Sequence, residues 1–500
     1  MENSKYDTII AGSGLGGLVC GYILAKNGYR VAIFEKNAQV GGCLQTFTRR
    51  GVKFDTGMHY IGSMKEGQIL HQFFKYLDLL KDVRLSPLDT AGFEVISLAG
   101  QTFKYAQGVE NFIDVLAREF PENREDIKRY AEKIKAIADS SPLYNLHKLN
   151  STIFIDTEMV TMSASELIDS VTDNPKLRQA LAGNLPLYAG VKDKTPVYIQ
   201  ALLNNFYIQS AYRIVGGSDC IANSLAKSIE NFGGKIYKNA EIEELICDSE
   251  KMTKIRLASG QEYEAQSFIS NIHPQVTLDK IHSPLIRKVY RDRIKSIENG
   301  ISNFTVFLIF KKNMVKYLNY NYYYYEKPDA WSIENYAPQE FPQNYLYMHQ
   351  ANAENQEFAE SAQVIAYMRY DEVKRWENTT IGQRGADYEA FKKEKAEKTV
   401  EKLNQQFPHI KDCISAYYTS SPLTYRDYTA TVNGAMYGII RDKNNPMETR
   451  ISQRTKISNF FFTGQNINTH GILGVTIGAI TTAAEILGKK RIVEDICKNS

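Results

Sequence analysis

Cysteine and tryptophan are scarce in this chain of 500 residues, which contains six Cys and two Trp. The cysteines are scattered, with no Cys-x-x-Cys pair and no histidine at the spacing of a metal ligand set. This pattern excludes the disulfide framework of a small secreted domain. We therefore predict reduced thiols in a cytoplasmic protein and no metal site.

The chain also lacks an excess of charge of one sign and a long apolar run. Its 60 basic and 57 acidic side chains leave a net charge of +3, which argues against the concentrated basic face that nucleic acid requires. Even the most apolar segment, 471–488, is interrupted by three Thr and a Glu. The first residues show no basic segment followed by an apolar one. We expect neither a membrane-spanning helix nor a secretory signal.

Tyrosine and phenylalanine, by contrast, are abundant, with 32 and 23 copies. One concentration of tyrosines falls in Tyr317–Tyr325 and another in Tyr336–Tyr347. The run Tyr320–Tyr325 suits either a membrane–water interface or a β-strand with aromatic faces over a ligand cavity, and strand propensity favours the second. The surplus therefore indicates the lining of a large apolar ligand, with peripheral membrane contact as the alternative.

The first 35 residues have the pattern of a βαβ unit. The apolar stretch 6–11 predicts a strand, and apolar residues at helical spacing over 15–28 predict a helix. Asn27-Gly28 supplies the helix stop, and 30–34 predicts a second buried strand. A unit of this length is typical of dinucleotide-binding folds.

The glycines of this unit stand where a dinucleotide needs them. Gly12 permits a tight turn, Gly14 lets a pyrophosphate approach the backbone, and Gly17 allows the helix to pack closely on the strand. Free N–H groups at the helix start would face the phosphates. Glu35 ends the second strand, where an acidic side chain takes the ribose hydroxyls. The pattern predicts an ADP-containing cofactor, but does not by itself distinguish FAD from NAD.

Beyond this unit the sequence predicts alternating α/β and helical stretches. Helices dominate 72–210, where 110–137 is amphipathic, and Ala386–Gln406 is a solvated helix rich in lysine and glutamate. The other expected elements are a helix at 218–232, a strand at 234–237, a hairpin at 243–264, strands at 267–270, 301–310 and 459–463, and a last helix from about 474 to 487.

The segment after the second strand resembles a known flavoprotein superfamily. It contains Gly41-Gly42-Cys-Leu-Gln-Thr46 and then Asp55-Thr-Gly57-Met-His59-Tyr60. In this register it is similar to the phytoene desaturases, and most similar to their retinol saturase branch. Three later stretches support the resemblance: 213–218, 270–274 and 462–475.

The resemblance implies a two-domain α/β fold, with a Rossmann-type FAD-binding domain like that of glutathione reductase and the amine oxidases, and an interleaved α+β substrate domain. The FAD-binding domain would comprise residues 1–75, 211–290 and 426–500. The substrate domain would comprise 76–210, mostly helical, and 291–425, a sheet with helices.

The resemblance also implies the members of the site. Gly41, Gly42 and Thr46 would lie along the cofactor, Asp55 and Gly57 near its ring system, and a helix start near Gly474 would face the ring. The predicted cofactor-binding residues are Gly12, Gly14, Leu15, Gly16, Gly17, Glu35, Lys36, Gly41, Gly42, Thr46, Asp55, Gly57, His59, Gly464, Gly471, Gly474 and Val475.

Three side chains are candidates for orienting or protonating a substrate carbon, namely His59, Tyr60 and His470. The alternative is that they form the cavity wall and hydrogen-bond to the backbone. Cys43 is interpreted as a small packing residue, so the flavin is expected to be bound non-covalently.

The function that the resemblance implies is FAD-dependent oxidoreduction of carbon–carbon double bonds in a hydrophobic polyene or isoprenoid, in the saturating direction. The alternatives are desaturation or flavin-assisted isomerisation of a carotenoid and, more remotely, prenyl binding without redox chemistry on the same fold. An amine oxidase would share the fold. No second glycine-rich βαβ unit occurs, so NAD(P)H would reach the flavin only as an external donor.

Overall fold

Two seven-stranded sheets organise the chain. The computed structural model describes residues 5–141, 144, 160–353 and 356–499. The strands over these residues are β1 Lys5–Ala11, β2 Val31–Phe34, β3 Thr46–Arg49, β4 Val52–Asp55, β5 Ile61–Gly62, β6 Leu85–Pro87, β7 Glu94–Leu98, β8 Gln101–Tyr105, β9 Ala211–Ile214, β10 Lys235–Tyr237, β11 Ile242–Cys247, β12 Met252–Leu257, β13 Glu262–Ser270, β14 Ser302–Phe310, β15 Asn321–Tyr325, β16 Asn344–His349, β17 Ser361–Met368, β18 Ile414–Ser420 and β19 Phe460–Phe462.

The helices surround these sheets and fill the space between them. They are α1 Leu15–Lys26, α2 Ile69–Tyr76, α3 Val109–Ala117, α4 Arg124–Ser140, α5 Ala164–Val171, α6 Pro175–Leu181, α7 Val197–Gln209, α8 Asp219–Asn231, α9 Pro274–Asp279, α10 Lys288–Ser296, α11 Ala386–Gln406, α12 Ile410–Cys413, α13 Pro422–Thr429, α14 Pro446–Thr449, α15 Gly471–Leu487 and α16 Lys489–Asn499.

The first sheet confirms the predicted βαβ unit. Strands β10, β2, β1, β13 and β19 pair in parallel, and α1 connects β1 to β2. Both faces of β1 and β2 are covered, so their side chains are almost all buried. Helix α1 is apolar on every side and packs against α15 and α8. The dinucleotide-binding half therefore has a fully buried centre.

Strand β13 corrects one prediction. The sequence predicts a hairpin that ends at 264 and a separate strand at 267–270, whereas residues 262–270 form one strand. The first part of β13 pairs antiparallel with β12, and its last part pairs parallel with β19. The partner changes along the strand while the backbone stays extended, which apolar patterning does not reveal.

The second sheet has the order β18-β14-β17-β16-β15-β7-β8 and consists of strands from the segments predicted to form the substrate domain. One face packs against α11, through side chains such as Val400 and Leu403. The other face, with Tyr323 and Ile365, joins the core that includes α4 and α7. All five residues of β15 are buried, so the predicted strand is confirmed and the membrane-interface interpretation is wrong for it. The predicted cavity lining is not confirmed, because none of these five residues lines the two cavities described below.

The prediction that 72–210 is mostly helical is wrong for β6, β7 and β8. Strand β7 is wholly buried although it contains Glu94 and Ser97, so its apolar run is interrupted and too short to be recognised. The helix predicted from about 474 to 487 also differs, because α15 begins at Gly471, one turn before the predicted start, and a further helix, α16, follows it.

The observed architecture confirms the predicted fold class, a two-domain FAD-binding fold. Each sheet draws its strands from separated parts of the chain, as an interleaved arrangement requires. The boundaries proposed for the five segments stay predictions. No helix of the described residues is long and apolar enough to cross a bilayer, and these residues contain no group of three side chains that could hold a metal ion.

Candidate active site

A cavity of about 270 Å³ lies where the parallel strands of the first sheet end. Carboxyl ends of parallel strands are where open α/β sheets bind ligands. The predicted cofactor-binding residues that line this cavity are Gly12, Gly14, Leu15, Gly16, Glu35, Lys36, Gly41, Gly42, Gly57, Gly464, Gly471 and Val475.

The glycine loop forms a tight cradle at the cavity floor. Gly12 has a positive φ of 91°, which favours glycine. A Cβ at Gly14 would lie 2.7 Å from the Asn271 side chain, and one at Gly16 would lie 2.6 Å from the same side chain. Helix α1 begins after Gly14 without a side-chain cap, so its first N–H groups remain available to an anion. The chemistry of this cradle suits the pyrophosphate of a dinucleotide.

Glu35 is held at the edge of the cavity by three donors. Its Oε2 accepts hydrogen bonds from the backbone N–H of Ser13 at 3.0 Å and from Ser13 Oγ at 2.6 Å. Its Oε1 accepts from the N–H of Asn37 at 2.9 Å. A carboxylate offers about four acceptor positions, so capacity for a ribose hydroxyl remains. The sequence did not indicate Ser13 or Asn37 as its supports.

The last residues of α13 and the two residues after it line the cavity near Glu35, which the sequence did not predict. Tyr428, Thr429, Ala430 and Thr431 all contribute to the lining. Lys36 Nζ donates to the carbonyl of Asp427 at 2.5 Å, and Asn37 Nδ2 donates to the carbonyl of Tyr428 at 3.0 Å. The ammonium of Lys36 is therefore used to hold this segment in place.

The C-terminal loop contributes a second helix terminus to the cavity. Helix α15 follows His470 without a side-chain cap, and its residues Gly471, Ile472 and Val475 line the cavity. Half-buried Arg441 donates to the carbonyls of Asn466 at 2.7 Å, Ile467 at 3.0 Å and Asn468 at 3.3 Å.

This guanidinium fixes the loop that leads into α15, and no sequence motif singled it out. A Cβ at Gly474 would meet the carbonyl oxygen of Thr469 at 2.6 Å, so Gly474 allows the helix to pack closely against the loop. Gly474 does not line the cavity.

Four further predicted residues also lie outside the cavity lining: Gly17, Thr46, Asp55 and His59. Gly17 has the packing role that was predicted, since a Cβ there would lie 2.1 Å from the carbonyl oxygen of Gly12. Thr46 pairs with Asp55 in the β3–β4 hairpin.

Both carboxyl oxygens of Asp55 accept hydrogen bonds inside the protein. Its Oδ1 accepts from the N–H and from the Oγ of Ser218, both at 2.7 Å, and its Oδ2 accepts from Gln350 Nε2 at 3.1 Å. Burial raises the pKa of Asp55, against the hydrogen bonds from Ser218. Asp55 thus joins segments that are far apart in the chain and does not reach the cavity.

Both candidate histidines are neutral at physiological pH. Burial, with a smaller contribution from Arg213, lowers the pKa of His59 to about 4. Burial, with a contribution from Arg441, also lowers the pKa of His470 to about 4. The His470 ring lies on Tyr437, with 4.4 Å between ring centroids, and Tyr437 lines the cavity. His470 lies against the cavity wall through Tyr437 and His59 lies outside the lining, and neither imidazole carries the acidic proton of an imidazolium.

Tyr60, the third candidate, is bound to a carboxyl group that was not predicted. Its hydroxyl donates to Glu94 Oε1 at 2.6 Å and shares a hydrogen bond with the Tyr323 hydroxyl at 2.9 Å. Glu94 is wholly buried, and burial raises its pKa to about 7. The only signal in the sequence is a lone Glu inside an apolar stretch.

A narrow cleft adjoins the cavity between α7 and α15. It is lined mostly by apolar side chains of α7, including Leu202, Leu203, Phe206 and Tyr207, and shares Gly471 and Ile472 with the cavity. A glycine cradle, two uncapped helix termini and this aromatic neighbourhood at the strand ends define a flavin-dependent oxidoreductase.

Comparison with known proteins gives the family. The profile of the family described as flavin containing amine oxidoreductase matches residues 15–487, and the chain belongs to this family.

Its relatives extend this assignment. The all-trans-retinol 13,14-reductase of Rattus norvegicus is 28% identical, over 98% of this chain and 87% of that protein. A chloroplastic prolycopene isomerase of an Oncidium hybrid cultivar is 23% identical, over 87% of this chain and 76% of that protein. The crystal structure of an oxidoreductase from Methanosarcina mazei aligns with a TM-score of 0.64 at 16% identity, covering 95% of this chain and 99% of that one.

Proposed function

We propose that this flavoprotein holds FAD non-covalently and saturates a carbon–carbon double bond of a hydrophobic, conjugated polyene or isoprenoid. The observation that carries the proposal is the uncharged, largely apolar character of the inner end of the site. There the cavity meets Met58, Met436 and Tyr437 and continues into the apolar cleft beside α7. Sites for apolar ligands are lined in this way. The retinol reductase and prolycopene isomerase among the relatives support the same substrate class.

The cofactor would supply the hydride chemistry, and the residues of this chain would bind and orient it. The backbone around Gly14 and the start of α1 would hold the pyrophosphate, and Glu35 would take the ribose hydroxyls. The free N–H groups at the start of α15 would stabilise negative charge on the reduced ring. The packing of α7 on α15 would exclude water from the reacting carbons.

Desaturation and isomerisation of a carotenoid are the second candidate, supported by the prolycopene isomerase relative. They use the same cavity, and desaturation is the proposed reaction in reverse. Amine oxidation agrees less well with the site. A protonated amine needs a charge partner, whereas the described residues that line the inner end include no acidic side chain.

An anaerobic stopped-flow experiment tests the proposal. The purified holoprotein is photoreduced, mixed with a panel of retinoids, carotenoids and amines, and followed at the flavin absorption bands. We expect a polyene to reoxidise the flavin and to gain two hydrogens. Oxidised protein that dehydrogenates a polyene, when no alkene reoxidises the reduced form, would identify a desaturase instead. A colourless protein that cannot be reconstituted with FAD would leave only prenyl binding.

The electron donor and the location are further parts of the proposal. NADH and NADPH are added anaerobically to the oxidised holoprotein, and bleaching of the flavin would identify an external nicotinamide donor. A cytoplasmic protein that contacts a membrane peripherally would reach an apolar substrate where it dissolves. Flotation with phospholipid vesicles tests that contact.

A further inference from the structure

Glu94 is an isolated acidic group in the interior of the substrate domain. It is the first residue of β7, has no accessible surface and forms no ion pair among the described residues. Its Oε1 lies 2.6 Å from the Tyr60 hydroxyl, and its Oε2 has no hydrogen-bond partner within the described part of the chain. An ionised carboxylate in such a place is costly unless it is paired, so this group is suited to keep its proton.

Among the residues that the structure describes, the surroundings of Glu94 supply hydroxyl and amide groups and no cation. Tyr60 and Tyr323 approach it from two elements, and the side chain of Asn184 from a third. The further titratable groups that act on it or are acted on by it are Tyr105, Tyr130, Tyr207 and Tyr325. All of these tyrosines have a raised pKa from burial and are neutral themselves.

The cluster of Glu94, Tyr60 and Tyr323 lies next to the proposed reaction space. The Tyr60 ring contacts the Tyr207 ring, with 4.5 Å between centroids, and Tyr207 lines the cleft beside Gly471. Tyr207 and Tyr323 are both within electrostatic reach of Tyr437, which lines the main cavity. Tyr60 itself follows Met58, another lining residue. The cluster is therefore one side chain away from both spaces.

A saturating enzyme needs a proton donor, and the two histidines of the site are unprotonated. We propose that the Tyr60 hydroxyl supplies the proton for the alkene carbon through one water in the adjoining cleft, and that Glu94 holds and resupplies it. This inference rests on the proposed function. Glu94 acts through Tyr60 and is a positioning residue.

The step balances with the reduced flavin as the source of the hydride. The π bond of the alkene breaks, one carbon gains the hydride with its electron pair, and the other gains a proton from the water, which takes the Tyr60 proton in its place. The O–H bond of Tyr60 breaks, and its oxygen takes the carboxyl proton of Glu94. Glu94, which has no accessible surface, is left as a carboxylate that regains its proton through the Tyr60 hydroxyl, while the substrate is reduced and the flavin oxidised.

The first test follows the proton without catalysis. Infrared spectra of the wild-type holoprotein are recorded from pH 5 to pH 9 in H₂O and D₂O. We expect a protonated-carboxyl C=O band that is present at low pH, disappears as pH rises and is missing in Glu94→Gln. In Tyr60→Phe the band should shift, because its hydrogen bond is lost. A wild-type spectrum that is identical to that of Glu94→Gln overturns the inference.

The second test follows flavin reoxidation by an accepted polyene. Glu94→Gln and Tyr60→Phe should lower the reoxidation rate on the order of 10²-fold with little change in substrate affinity. Glu94→Gln should also lose the pH dependence of the wild type. Tyr323→Phe is the matched control, since it removes the hydrogen bond between Tyr323 and Tyr60 and leaves the contact of Tyr60 with Glu94; it should keep that pH dependence.

Unchanged rates and pH profiles in both Glu94→Gln and Tyr60→Phe would overturn the inference while the proposed function stands. If no polyene is reduced by the wild type, the proposed function fails and this proton role fails with it. The infrared band would then still show whether Glu94 stores a proton.

Discussion

At the scale of single residues, burial decides what each candidate side chain can do. A histidine with a pKa of about 4 is protonated in only about one molecule in a thousand at pH 7, so His59 and His470 cannot serve as acids there. The sequence identified these residue types, but their burial depends on helices and strands from distant segments. Glu35 and the glycines were easier to identify because their roles depend on a local turn.

Glu94 gives the first residue-scale prediction, which concerns stability and pH. Its pKa is raised from 4.5 to about 7 by burial, so the folded state binds this proton more tightly than the unfolded state. The contribution of Glu94 to stability is therefore complete below about pH 4.5. As the pH rises from there to about 7, the free energy of unfolding falls by about 3 kcal/mol. Glu94→Gln should remove this loss.

Urea unfolding at pH 5 and pH 8 measures the effect. We expect Glu94→Gln to be close to the wild type at pH 5 and more stable than it at pH 8. Glu397→Gln, an exposed position on α11, is the control and should leave the difference between the two pH values unchanged. Parallel pH dependence of the wild type and Glu94→Gln would contradict the assignment of a proton to this group.

Glu35 gives a second residue-scale prediction, about cofactor retention. Glu35→Ala should weaken FAD binding on the order of 10-fold or more, because the ribose contact is lost and the N–H groups of Ser13 and Asn37 lose their acceptor. Ser13→Ala is the control: it removes one donor to the carboxyl group but leaves the carboxyl group in place. Fluorescence titration of the apoprotein with FAD measures both. Equal affinity of Glu35→Ala and the wild type would mean that Glu35 does not contact the ribose.

At the scale of elements, the sequence predicts those whose pattern is local and misses those whose partners are distant. Helix α11 has the predicted ends, and α1 and α8 end within two residues of the prediction. Strand β7 was missed because distant segments bury its two faces. Val95 packs in the core with β14 and β17, and Ile96 packs in the core with α4 and α7. Helix α11 also has a buried face that includes Lys395, paired with Glu372 at 2.6 Å, which its charged composition concealed.

Helix α15 gives an element-scale prediction through two glycines one turn apart. A Cβ at Gly474 would meet the backbone oxygen of Thr469 at 2.6 Å, so Gly474→Ala must displace the loop before the helix. We expect it to destabilise the protein by about 1–3 kcal/mol and to weaken FAD binding. A Cβ at Gly478 would have its closest contact at 3.4 Å, an ordinary distance.

Gly478→Ala is thus a matched control in the same helix. It should be neutral or stabilising by up to about 1 kcal/mol, since alanine is the better helix former. Thermal unfolding and FAD titration of the two variants compare them directly. If Gly474→Ala behaves like Gly478→Ala, the start of α15 does not depend on close contact with Thr469.

At the scale of the whole molecule, Asp55 holds the two domains around the cavity. Its carboxyl group accepts from Ser218 at the start of α8 and from Gln350 just after β16, and its backbone oxygen accepts from Gln363 Nε2 at 3.0 Å. Ser218 Oγ is also 3.3 Å from the carbonyl oxygen of Leu44, in the loop that contains Gly41 and Gly42. The resemblance placed Asp55 near the cofactor, but one sequence could not show that its contact with the cavity is indirect.

These hydrogen bonds of Asp55 lead to a prediction for the whole protein. Asp55→Ala should destabilise the fold by about 2–4 kcal/mol, because it leaves buried donors of Ser218 and Gln350 without an acceptor. It should also weaken FAD binding although Asp55 does not line the cavity, since the Gly41–Leu44 loop loses its support.

Asp219→Asn is the control, because it breaks only the half-exposed ion pair with Lys53 at 3.1 Å and should change stability by less than about 1 kcal/mol. Calorimetry measures the stability of both variants, and FAD titration measures their affinity for the cofactor. An Asp55→Ala protein with wild-type FAD affinity would show that the cavity is shaped by the dinucleotide-binding domain alone.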